Sequence, residues 1–140
     1  MTEDVIITIK GYHNIDGSCQ EPVVTSARGK YYFRSGHHFV SYEETVAEGM
    51  APSKSLIKIG DNYLGISRKG DCPTKMELEI GKKNLTRYRT PAGVLEFFAE
   101  AEQIQVREEE KRLEAEAEYS LHSGGQQIQK SRVAVIVEAV

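Results

Sequence analysis

Tryptophan is absent from the 140 residues, cysteine occurs twice and proline four times. Cys19 and Cys72 have no second cysteine or histidine at metal-ligand spacing, so a cysteine-based metal site is excluded and two reduced structural thiols are expected. Long apolar runs are also missing. Nothing approaches the roughly 18 apolar residues of a spanning helix, and "MTEDVIITIKG" lacks the basic start and long apolar core of a signal peptide. A cytoplasmic location away from membranes is therefore expected. There is no basic excess: the formal charge is -3, which argues against nucleic acid as a partner. No glycine-rich phosphate loop, nucleophile elbow or Cys–His pairing occurs, so the sequence points to no enzyme class, no cofactor and no metal.

What is present is alternation. In "DVIITIKGY", Val5, Ile7 and Ile9 fall on one side and Thr8 and Lys10 on the other, the pattern of a strand. "PVVTSARGKYYFRSGHHFVSYEE" has apolar or aromatic segments around Val24, Tyr32 and Val40, with an Arg-Ser-Gly turn between the last two that signals a hairpin. The same design recurs through "SLIKIGDNYLGISRKGDC", with turns at 60–62 and 69–71. It returns in "KMELEIGKKNLTRYR", where Met76, Leu78 and Ile80 alternate with Glu77 and Glu79 before Gly81 opens a turn. Only "TVAEG" (45–49), with capping-box spacing from Thr45 to Glu48, has the form of a helical turn before residue 95, and a loop is the simpler reading.

The stretch "RLEAEAEYSL" (112–121) has a helix's composition and a strand's spacing. At roughly 100° per residue a helix would throw Ala115 and Tyr119 away from Leu113, Ala117 and Leu121, and would stack Glu110, Glu114 and Glu118 in a like-charge column. A strand places Leu113, Ala115, Ala117, Tyr119 and Leu121 on one face and Glu114, Glu116 and Glu118 on the other. We therefore expect a strand, followed by a turn at 123–125 and a last strand presenting Val133, Val135 and Val137. For residues 92–106 two strands broken near Glu102 are preferred to a short helix. Turn signals every 8 to 12 residues or so indicate an all-β sandwich or barrel.

"DVIITIKG", "GHHFVSYEETVAEGM" (36–50), "LTRYRTPAGVLEF" (85–97) and the tail from Glu116 cover nearly the whole chain in order. Through them the sequence resembles the YwiB-like family of bacterial proteins, a domain of unknown function with calycin-like β-barrels. Ala92 departs from the family's tendency to an aromatic at that position. The resemblance implies a single all-β domain over residues 1–140: an antiparallel calycin- or lipocalin-like barrel of about eight to ten strands. Calycin-like barrels often hold small apolar molecules, so the expected function is non-enzymatic binding of a small apolar or amphiphilic ligand inside the barrel. The alternative is a protein-interaction module using a sheet edge or acidic face. A homodimer is the assembly entertained.

Ligand-binding candidates are Tyr42, Glu43 and Tyr88. Val40 and Tyr42 share a face, which their apolar character marks as inward, and Tyr42 or a neighbouring carboxylate would orient a ligand by hydrogen bonding. The competing reading gives Glu43 or Glu44 a turn-capping or ion-pairing role. His37 and His38, adjacent on a strand, cannot chelate one ion together, and are expected at a hairpin tip in solvent. Lys83, Arg87 and Arg89 share a face and are expected to pair with Glu114, Glu116 or Glu118.

Overall fold

The computed structural model describes residues 3–13, 23–44, 53–69, 74–90 and 93–140. Ten strands account for nearly all of them: β1 (Asp4–His13), β2 (Val23–Arg34), β3 (His37–Glu44), β4 (Ser53–Gly60), β5 (Tyr63–Lys69), β6 (Thr74–Glu79), β7 (Lys83–Thr90), β8 (Gly93–Glu108), β9 (Arg112–Ser123) and β10 (Gln126–Ala139). Each pairs antiparallel with its neighbour in sequence, and β1 pairs with β10 from Val5↔Ala139 to His13↔Ser131, so the sheet closes on itself. The all-β reading holds; among the described residues there is no helix, and none long and apolar enough to cross a membrane.

Local chemistry explains the meander. The β2–β3 and β9–β10 hairpins turn on two residues each, both with positive φ: Ser35 (53°) with Gly36 (79°), and Gly124 (60°) with Gly125 (82°). This is the turn whose twist matches that of the flanking strands. Residues 112–121 are extended, with Leu113, Ala115, Ala117, Tyr119 and Leu121 buried. Alanine has low strand propensity, but Ala115 and Ala117 are fully buried in the core cluster, so packing decides. Residues 93–108 form one strand rather than two. The expected break near Glu102 is a register shift between Ala101 and Gln103, a bulge that bends the strand without ending it. The readings at 45–49, Gly70-Asp71, Ala92, Cys19 and Cys72 lie outside the described residues.

The inward side chains form one hydrophobic cluster. Ile7, Ile57, Ile59, Leu64, Leu78 and Leu113 are fully buried in it. Closure removes the free edge strands of an open sheet, so the edge form of the interaction reading loses its footing.

Candidate binding site

Cross-strand partners point to the same side of a sheet, so the register defines rows of inward residues around the barrel. One row is hydrocarbon: Val40, Ile57, Ile66 and Met76 follow one another across β3 to β6. Two residues along the strands, the next row runs Gly29, Tyr42, Ser55, Arg68 and Thr74, from β2 to β6. Polar chemistry enters the barrel there, at what we term its Tyr42 end.

Tyr42 is buried at 5% exposure, confirming the inward face that Val40 marks. Ser55 beside it is also buried, and among the described residues its Oγ has no hydrogen-bond partner. Thr86, in phase with Tyr88 and two residues nearer the barrel's middle, is fully buried with Oγ1 likewise unpartnered. Arg68 is in phase with the inward Leu64 and Ile66, and its Nε is shielded from solvent. Two buried hydroxyls lacking partners each carry a desolvation cost of roughly 1 to 3 kcal/mol. Together with a guanidinium they can bind an acceptor-rich polar group.

The three residues singled out from sequence separate. Tyr42 faces in. Glu43, one residue on, is exposed, and it lines a groove of about 600 Å³ together with Arg28, Lys30, Lys54 and also Tyr42 and Ser55. Tyr88 pairs through its backbone with Thr74 on β6 and Leu95 on β8, and its side chain lies outside what the structure describes. Sequence reasoning passed over Ser55, Arg68 and Thr86, although Ser55 and Arg68 alternate in phase with Ile57 and Ile66.

At the other end the histidine expectation needs correction. His37 and His38 do point to opposite faces, but only His37 is at the surface; His38 is buried at 8% exposure. Its Nδ1 shares a 2.6 Å hydrogen bond with the Tyr31 hydroxyl, and its Nε2 meets the carboxylate of Glu108. A carboxylate only accepts, so Nε2 carries the proton, and in the neutral ring Tyr31 donates to Nδ1. Burial, then the negative charge of Glu108, raises the Tyr31 phenol above its ordinary pKa. These contacts tie β2, β3 and β8 together at that end of the barrel. Among the described residues no three potential ligands gather to hold a metal.

The expected partners of β7 also change. Arg87 reaches Glu96 on β8 at 3.6 Å, whereas Glu114 pairs with Arg112, and Glu116 and Glu118 with Arg132. The reason is topological: β8 stands between β7 and β9.

A ten-stranded up-and-down barrel with a polar row at one end and a hydrogen-bonded cross-tie at the other is thus the class of protein the fold defines. The chain belongs to the family described as Domain of unknown function (DUF1934), whose pattern matches residues 7–135. In fold it is similar to the crystal structure of the ywiB protein from Bacillus subtilis, with a TM-score of 0.80 at 20% identity, covering 99% of this chain and 92% of that one. The search of curated proteins finds no match.

Proposed function

We propose that this is a non-enzymatic, cytoplasmic binding protein that takes a small amphiphilic ligand into the Tyr42 end of the barrel. The apolar part would lie against Ile66 and Met76, and an acceptor-rich head would meet Ser55, Thr86 and Arg68. The observation that carries this reading is two buried hydroxyls without a partner among the described residues, Ser55 cross-strand from the half-buried Arg68 and Thr86 on β7. Native proteins satisfy nearly all buried polar atoms, and a ligand is one way to satisfy these. The up-and-down closed architecture, used by calycin-type barrels to enclose ligands, supports the reading by analogy.

Titration with a dansyl-labelled medium-chain fatty acid tests it. Saturable fluorescence enhancement is expected, weakened by Arg68→Met and by the double variant Ser55→Ala/Thr86→Val. Absence of saturable binding, or binding indifferent to all three substitutions, would count against it.

A further inference from the structure

The net charge of -3 conceals a segregation that the barrel makes visible. On β2 to β5 the outward phase carries Arg28, Lys30, Arg34, Lys54, Lys58 and Lys69, six cations named here, against Glu43 as the one described outward carboxylate. Three aromatic rings stand among them. Tyr32 and Phe39 stack across β2 and β3 with centroids 4.9 Å apart and planes 9° from parallel. Lys58 lies over both Phe39 and Tyr63, 5.7 and 5.3 Å from their centroids. Tyr32 is 47% exposed, so one face of its ring is open to solvent.

The surface beside these groups is hollowed. A groove of about 520 Å³ is lined by Lys30, Tyr32 and Phe33, together with Glu3. It shares Lys30 with the 600 Å³ groove that continues past Arg28 to Lys54 and is lined as well by Asp4, Glu43, Tyr42 and Ser55. Lys30 is itself paired with Asp4, so it is the least available of the cations.

We propose that the outward face of β2 to β5 binds single-stranded nucleic acid, with phosphates along Arg28, Lys54 and Lys58 and a base stacked on Tyr32. Stacked rings within a row of cations are what a flexible polyanion with aromatic bases requires, since each base offers a face to a ring and each phosphate a charge to a cation. A simple polyanion would use the cations and leave Tyr32 and Phe39 without a role. A second copy docking through its acidic β9 fits less well: Glu114, Glu116 and Glu118 already face Arg112 and Arg132 of their own chain. The overall acidity that argues against nucleic acid is an average over two unlike sides, and a local footprint governs binding.

Fluorescence anisotropy with labelled oligo(dT) and oligo(U) of about 15 nucleotides tests the proposal. Saturable binding is expected, weakening roughly 20-fold between about 50 and 200 mM salt if three phosphates are engaged. Lys54→Glu should weaken it further. Tyr32→Leu, which keeps apolar bulk and removes the ring, should cost roughly 5-fold or more for the oligonucleotides and leave heparin binding unchanged. Whether dT or U binds better distinguishes DNA from RNA as the occupant. No saturable binding at low salt would overturn the proposal. So would loss of heparin and oligonucleotide in parallel through the charge variant alone, with Tyr32→Leu neutral, or sedimentation showing salt-sensitive self-association that excludes the oligonucleotide.

Discussion

His38 on β3 and Glu108 on β8 sit on strands five places apart whichever way one travels round the ring of ten, yet their imidazole and carboxylate meet. The contact is a strut across the barrel's end rather than a ladder contact between neighbours. Its removal should therefore be felt on both walls. Glu108→Ala is expected to cost about 1 kcal/mol, a small figure because the carboxylate is 61% exposed. Amide exchange should accelerate both near His38 and along the last turn-ward residues of β8. Ultraviolet titration should show the Tyr31 phenol ionising at lower pH once the negative charge is gone; an unshifted phenol would deny the strut its electrostatic part.

The unpartnered hydroxyls make an unusual prediction for the ligand-free protein. Thr86→Val replaces a buried Oγ1 by a methyl group of similar size, and so relieves a desolvation penalty without opening a cavity. The melting temperature should rise, by the equivalent of about 1 kcal/mol. A fall would mean that Oγ1 is satisfied in solution.

Two glycines are required for different reasons. At Gly29 an added Cβ would come within 2.7 Å of the Ser41 carbonyl oxygen, a backbone atom with no freedom to retreat. At Gly93 the surroundings are open, but φ is +127°, a conformation other residues rarely adopt. Gly29→Val and Gly93→Val are each expected to destabilise by about 1 kcal/mol or more, by overpacking in the first case and backbone strain in the second. Denaturant melts should separate them, because strain at Gly93 does not depend on side-chain size, so Gly93→Ala should cost about as much as Gly93→Val, while Gly29→Ala should cost less than Gly29→Val.

Tyr63 lies across Gly65 and donates a 3.1 Å hydrogen bond to Glu77. Burial, the charge of Glu77 and that bond push its phenol up to about 12. A pKa raised in the folded state gives stability that is intact below the unfolded value near 10 and is lost as pH rises through the folded one. The barrel should consequently weaken between about pH 10 and 12, and Tyr63→Phe should flatten that decline. An identical alkaline profile in the variant would contradict the assignment.

The strands were legible because a half-buried strand must alternate, and the turns because positive φ selects glycine. His38 was also within reach: it has the parity of Val40 and Tyr42, and a two-residue turn at Ser35-Gly36 sets Phe33 opposite it and Tyr31 opposite Val40. The hairpin-tip position hid this, since tips are usually wet. Glu108 could not be found from the sequence, because its contact with His38 depends on closure between strands that never pair. The charge on β2 to β5 escaped for a related reason: composition averages over faces that only the barrel separates.

Native mass spectrometry of the protein purified from its own cells tests the central claim most directly. The account predicts a retained small molecule on the wild-type chain, of a mass consistent with an amphiphile, and its loss from Arg68→Met and Ser55→Ala/Thr86→Val. A wild-type spectrum at the bare chain mass, together with no uptake of an added amphiphile, would contradict it.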